Sequence, residues 1–328
     1  MNIQITEGSF SREGLPNIED RYLRAERRIA EGVDAVFELP FHAAVNTSDS
    51  VSTAGVALHE NLKCSDGFKI YASSDDHALL QTIAKYIFMT EMGRRKEIAG
   101  MKERGWSKWK IRSFLVEEKF PGAAGLFDDD QNISAVEDLI SCKCLYSTIR
   151  TEICTGISPE KSNKRMDACT FDRFILEKLA SKHDGYSEKD TISALLDISG
   201  AFPRNVKAVC EGLKAGYTMT QIDSAINPHT PDIIQTRQLI LKMLLDIRGI
   251  DNIIFSISTF IPYVKLLAYK NEEVLNRLRK HSSVTIIDAA GDENPAVLSG
   301  IFDECKYMLY KADLRAEKLY SEASSFFI

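Results

Sequence analysis

Residues 7–55 read EGSFSREGLPNIEDRYLRAERRIAEGVDAVFELPFHAAVNTSDSVSTAG. Charges surround an apolar stripe at Leu23, Ile29 and Ala30, a pattern that predicts a helix over 19–32. The run DAVFEL at 34–39 is β-rich and predicts a strand. Pro40 ends it, because proline cannot donate to a sheet ladder. A helical pattern resumes over 51–62. Strands separated by helices point to a parallel sheet covered by helices.

The same alternation extends outward. A short strand is expected at 2–6 and another at 67–73, GFKIYAS. Leu79, Leu80, Ile83, Ile87 and Phe88 stand at helix spacing within a long helical pattern over 75–105. A helix over 132–145 and an alternating strand STIRTEICT at 147–155 follow. A polar loop at 156–164 leads to a helix over 167–181, and the composition turns polar at 182–190. Beyond it the pattern is mostly helical, over 191–197, 203–215, 220–226, 231–248, 272–280 and 295–320. Pro203 and Pro231 fit first helical turns. SVTIID at 283–288 is an isolated strand candidate. The expected division is an α/β domain over 1–182 and a mainly helical, tRNA-binding-like domain over 183–328.

The chain has 328 residues, a net charge of −6 and 44% hydrophobic residues, enough for two packed domains and unlike a disordered chain. No window approaches the roughly 18 apolar residues of a membrane helix, and the N-terminus lacks a secretory pattern. Seven cysteines without such a leader suggest a reducing, cytoplasmic setting. Cys142 and Cys144 form a C-x-C pair with no second ligand pair to complete a zinc site, so buried inert thiols are expected and no metal. The six histidines are scattered, and the common phosphate-loop, dinucleotide, zinc-protease and serine-elbow motifs are absent.

One local patch departs from the acidic total. Residues 94–112 hold eight cations (Arg94, Arg95, Lys96, Lys102, Arg104, Lys108, Lys110 and Arg112) against Glu97 and Glu103, with both tryptophans, Trp106 and Trp109, among them. Cations for phosphates and aromatics for bases are what single-stranded RNA binding uses. A solvated helix end anchored by two tryptophans is the other reading.

The stretch from Glu7 to Gly55 resembles the tRNA(Met) cytidine acetate ligase family, of the HxGH nucleotidyltransferase superfamily. Gly8, Phe10, Gly14, Pro16, Arg24, Gly32, Val33, Asp34, Glu38, Leu39 and Pro40 fall in order on that family's S-G-x-F-x-Q-R-G-E-P-A and G-V-D-x-V-x-E-L-P patterns. IPYVKLLAYKNEEVLNRLRKHSSVTIID at 261–288 and DLRAEKLY at 313–320 extend the similarity. The resemblance implies a Rossmann-like (HUP-type) sheet of order 3-2-1-4-5. It also implies ATP as cofactor, with magnesium as a companion ion, and tRNA as partner. The implied activity is N4-acetylation of the wobble cytidine through acetyl-adenylate.

By the same resemblance, Ala72, Asn132, Thr170 and Arg173 are the remnant of an ATP site. The implied tRNA contacts are Arg94, Arg95, Lys96, Lys108, Lys110, Arg112 and Arg237. Several motif positions depart from the family. F-G-S-E is matched by Tyr71-Ala72-Ser73-Ser74, where an alanine methyl can obstruct a nucleotide. The family's K-R-x-G arginine is lost unless Arg150 supplies it. I-S-S-A-T-x-I-R is matched by residues 166–173, where Asp167 and Asp172 bring negative charge towards a polyphosphate. K-R-Y-T-x-T-R is matched near Asn227, Pro228, His229, Thr230 and Pro231 without its cations, and by the later Thr236 and Arg237.

Family members also carry a first strand and a G-x-x-x-E-Y-N-P-F-H-N-G-H loop ahead of S-G-x-F. The expectation is therefore a degenerate or N-terminally truncated member with weak or no catalysis, and no catalytic residue is assigned. A non-catalytic tRNA- or protein-binding chain is the alternative. Without strand 1, strands 2 (2–6) and 4 (67–73) are expected to close up. Otherwise the slot is filled by 283–288, by another segment, by a partner or by self-association.

Overall fold

The structure, a computed structural model, describes residues 1–65, 67–104, 106–158, 163–228, 231–257, 261–288 and 303–327. It is a mixed α/β protein with parallel strand pairs and a mostly helical C-terminal part. Among the described residues six strands form two sheets: β1 (Ile3–Thr6), β2 (Ala35–Glu38), β3 (Gly67–Ala72), β4 (Arg150–Thr155), β5 (Tyr263–Tyr269) and β6 (Thr285–Asp288). The larger sheet has the order β1-β2-β5-β6, and β3 pairs with β4 in the smaller one. β1 runs parallel to β2 in the register Ile3 with Ala35 to Thr6 with Glu38. β5 is antiparallel to β2, with a register shift between Val36 and Phe37, and parallel to β6.

The chain divides into two compact units, Met1–Thr47 with Asn163–Ile328, and Ser48–Ser162. This differs from the division expected at 182/183. The reason lies in β5 and β6, which return from the C-terminal part to complete the sheet begun by β1 and β2. YVKLLAY carries no period-2 alternation because β5 is buried on both faces over most of its length, so its apolar run does not announce a strand.

Neither specific repair of the sheet occurs. Strands 2 and 4 of the expected order are β1 and β3, and they lie in separate sheets. The 283–288 run forms β6 at the far edge, beside β5.

One expected helix is interrupted and another ends early. The pattern over 75–105 forms His77–Gly93 and Arg95–Glu103, because Arg94 leaves helical geometry while its N–H still reaches the Thr90 carbonyl. The helix expected over 231–248 ends early, as Ile233–Leu244, before Asp246, whose φ of 51° is left-handed, and a helix outside every expected range, Gly249–Ile257, follows. An unexpected helix, Lys108–Lys119, starts between the two tryptophans, capped by Ser107 and carrying Trp109 in its first turn. The C-terminal helix runs Glu304–Phe327, and the first part of the expected 295–320 helix lies outside the described residues. Among the described residues no helix is long and apolar enough to cross a membrane.

Each unit buries a neutral histidine. His42 faces Asn252 Oδ1 at 2.5 Å, and burial, reinforced by the Lys242 charge, pushes it down to about 4. His59 contacts Ser65 Oγ at 3.1 Å, and burial pushes it down to about 4 against the pull of Glu60. Unfolded histidine takes up a proton near 6.5, before either folded one does. Their contribution is therefore complete above pH 6.5 and is lost as the pH falls towards 4. A tenfold difference in proton affinity is worth roughly 1.4 kcal/mol, so each histidine is expected to remove about 3 kcal/mol over that window. Denaturant titrations at stepped pH read the slope, and the double variant His42→Gln/His59→Gln should flatten it; an equally steep slope in that variant would refute the assignment.

Candidate functional site

In the unit Ser48–Ser162, the C-terminal ends of β3 and β4 carry the first implied nucleotide residues. Ala72 is fully buried, and its carbonyl accepts the Gly156 N–H at 3.1 Å. The Ser73 and Ser74 N–H groups both donate to Asn132 Oδ1 at 3.0 Å, so Asn132 ties the strand end to the helix Asp130–Cys144. Asp129 caps that helix and accepts from Ser73 Oγ at 3.0 Å. The structure thus brings Ala72 and Asn132 together.

Sequence reasoning missed His77, whose Nε2 lies 2.8 Å from Thr155 Oγ1 at this same edge. Its position one turn past a strand was the available signal. Arg150 does not serve this edge. It pairs with Gly67 while Ala72 pairs with Thr155, which puts it roughly 16 Å away along the strand.

The helices Arg95–Glu103 and Lys108–Lys119 carry the basic patch, and the structure sorts its eight cations. Arg94 is held by Glu97 and Glu118, and Lys108 by Asp49 and Glu137. Arg112 is 2% exposed, bound to Glu91 and Glu137, with its guanidinium 4.8 Å from the Trp109 ring centre. These three neutralise local acids. Arg95, Lys96, Lys102, Arg104 and Lys110 are exposed and form no ion pair among the described residues. Lys110 Nζ lies over the half-buried Trp106 ring at 5.0 Å, and Phe114 meets that ring edge-on.

In the other unit, Thr170 and Arg173 stand within the first two turns of the helix Ala168–Lys182. Asp167 caps it: its Oδ2 accepts the Thr170 N–H at 2.8 Å and the Thr170 hydroxyl at 2.7 Å. Arg173 is exposed and reaches Glu177 only at 4.0 Å. Asp172 points the opposite way. It is buried and clasps Arg237 with Nε–Oδ1 and Nη2–Oδ2 distances of 2.6 and 3.0 Å. Arg237, 3% exposed, also donates to the Glu13 carbonyl at 3.1 Å. Asp172 therefore adds no charge towards an incoming polyphosphate, and Arg237 presents none to solvent; each neutralises the other in the core. Of the motif around Asn227, His229 and Thr230 lie outside the described residues.

The same unit holds a buried charge network around a small cleft lined by Gly8, Phe10, Glu38, Phe41, Lys265 and Asp313. Glu38, at the end of β2, receives Arg21 Nη1 at 3.0 Å. Lys265, on neighbouring β5, lies 3.7 Å from Asp313 Oδ2 and 2.5 Å from Glu317 Oε1, and Arg21 also pairs with Glu317. A Cβ on Gly8 would fall 1.7 Å from Glu38 Oε1, so only glycine lets the carboxylate pass. Burial pushes the Asp313 carboxyl up to about 6, with Glu38 adding to the effect and Lys265 opposing it.

At two of the places where ATP residues are implied the donors are already engaged, while the Arg173 guanidinium stays exposed. The backbone N–H groups beyond β3 are spent on Asn132, and the N–H and hydroxyl of Thr170 are spent on a carboxylate. Among the described residues no cluster of His, Cys, Asp or Glu could hold a metal ion.

Comparison with known proteins gives a consistent result. The family described as HIGH Nucleotidyl Transferase matches residues 1–168. A tRNA(Met) cytidine acetate ligase of Thermoanaerobacter pseudethanolicus is 24% identical, over 87% of this chain and 80% of its own length. That of Clostridium kluyveri is 21% identical, over 87% and 81%. The crystal structure of Thermotoga maritima TmcAL bound with alpha-thio ATP superposes with a TM-score of 0.80 at 16% identity, covering 98% of this chain and 86% of that one. The apo form of the same protein gives 0.78.

Proposed function

The chain belongs to the HIGH nucleotidyl transferase family, and from that premise we propose that it binds tRNA and performs the ATP-dependent acetate ligation of its relatives weakly or not at all. The five exposed cations Arg95, Lys96, Lys102, Arg104 and Lys110, beside Trp106, carry the proposal. Five lysines and arginines on two consecutive helices and the end of the first, without ion pairs among the described residues, form a local field suited to phosphates in a chain of net charge −6. Arg94, Lys108 and Arg112 have carboxylate partners and take no part, and Arg237 is committed to Asp172.

Retention of tRNA should weaken steeply with salt. Lys96→Ala/Arg104→Ala should reduce the logarithmic salt slope by about 2, since each of the two cations neutralises one phosphate. Lys108→Ala should change that slope little. Filter binding across a salt series reads both, and retention indifferent to salt and to the double substitution would remove the reading. The similarity to acetate ligases favours a second reading, a working ligase. Pyrophosphate release from ATP with acetate and tRNA would establish it.

A further inference from the structure

We infer that Phe114 is the ring on which an unpaired RNA base stacks, which gives the basic surface of the helices Arg95–Glu103 and Lys108–Lys119 a preference for single strands. The inference rests on the proposed RNA binding and deepens it by naming the form of RNA.

Residues 94–119 hold three aromatic rings, Trp106, Trp109 and Phe114. The two tryptophans are half-buried and already covered. Trp109 lies under the Arg112 guanidinium and packs against Phe127, with ring centres 5.1 Å apart, beside the core of its unit. Trp106 rests on Ile98, Met101, Ile111 and Leu115 with Lys110 Nζ over its ring. Phe114 is 44% exposed. Its ring stands at 81° to that of Trp106, with centres 5.6 Å apart, so the tryptophan props it while leaving it open to solvent.

A single exposed ring is ordinary on a protein surface. The charges around this one give it a use. Lys110 stands one turn earlier on the same helix and forms no ion pair among the described residues. Side chains four apart on a helix are about 5–6 Å apart, a length comparable with that between a base and its own phosphate, so Phe114 and Lys110 can meet one nucleotide. Arg95, Lys96, Lys102 and Arg104 continue the positive surface on the preceding helix and its end. The carboxylates that follow Phe114 are engaged elsewhere. Glu118 pairs with Arg94 at 2.7 Å, and Glu117 accepts the Gly122 and Ala124 N–H groups at 2.8 and 3.2 Å. Every base has a face to stack, but a base inside a duplex has both faces taken by its neighbours, so a ring among cations selects unpaired strands.

Fluorescence anisotropy of labelled RNA across a salt series, on the full chain, is the test. The probes are a short oligo(U), an abasic ribose-phosphate chain of the same length and a duplex of that length. Phe114→Leu should bind oligo(U) about tenfold more weakly than the wild type. Its salt slope should be unchanged, because no phosphate contact is lost. It should bind the abasic chain and the duplex as the wild type does, and Phe114→Trp should keep the wild-type affinity for oligo(U) or exceed it.

Equal affinity for oligo(U) in the wild type and Phe114→Leu overturns the assignment. A loss that falls equally on the abasic chain or the duplex overturns it too, since that is the mark of a merely structural role. Should Phe114→Leu fail to fold, the other two proteins decide. Tighter binding of oligo(U) than of the abasic chain by the wild type, kept in Phe114→Trp, supports the assignment; equal binding of the two chains, or loss of the margin in Phe114→Trp, overturns it. Salt-sensitive retention of RNA that ignores Phe114→Leu sinks the stacking role and leaves the RNA reading intact. Retention of none of these probes, nor of tRNA, sinks both and leaves the ring to a protein partner.

Discussion

Replacing Lys265 by methionine is expected to cost about 3–5 kcal/mol of stability at pH 7, because it strands buried carboxylates without their cation. Lys265 is 2% exposed and lies between Asp313 and Glu317, with Glu38 close enough to raise its pKa further. Asp313 also accepts the Phe41 N–H at 2.8 Å, so this network fastens the C-terminal helix to β5 and to the end of β2. The deficit carries a pH signature. An acid whose folded pKa is raised binds its proton more readily folded than unfolded. Between its ordinary value near 4 and its folded value of about 6, Asp313 therefore makes stability fall as the pH rises. Without Lys265 that carboxyl rises further, so the loss should be smaller at pH 4.5 than at pH 7. Urea titrations at the two pH values read the difference, and a loss below about 1 kcal/mol at pH 7 would show that the network does not hold the helix.

Arg112→Met should destabilise the unit Ser48–Ser162 by about 3–5 kcal/mol while leaving RNA binding per folded molecule unchanged. Arg112 donates through Nη1 to Glu137 Oε1 at 2.6 Å, and through Nε and Nη2 to Glu91 at 2.6 and 3.0 Å. Glu137 is 1% exposed, so removal of the guanidinium leaves a buried charge with only the Lys108 contact at 3.3 Å. The Trp109 ring also loses the cation above its face. Thermal melts should show the destabilisation, and binding measured well below the lowered melting temperature should keep the wild-type salt slope. A reduced slope with an unaltered melt would make Arg112 a phosphate contact, as its place in a basic sequence run suggests.

Arg112 shows why a charge count overstates a surface. Eight cations within 94–112 are plain in the sequence, but their partners Asp49, Glu91, Glu118 and Glu137 come from outside the run. Asp172 and Arg237 illustrate the same effect, being 65 residues apart and meeting only in the packed core. Local relations fared better. Asp167 and Thr170 stand three apart at the head of a helix, where a carboxylate is a preferred cap, so their contact was within reach of the sequence.

The residues alone established the helix–strand alternation, the strands around 34–39 and 67–73, and the family likeness carried by residues 7–55, because period and turn chemistry act over a few neighbours. Packing alone decided that β5 enters the first sheet beside β2, that β1 and β3 belong to separate sheets, and which cations of the basic run remain without acidic partners. Those outcomes depend on backbone pairing and charge neutralisation between segments as far apart as Glu38 and Lys265, a long-range energy that no local pattern of side chains records.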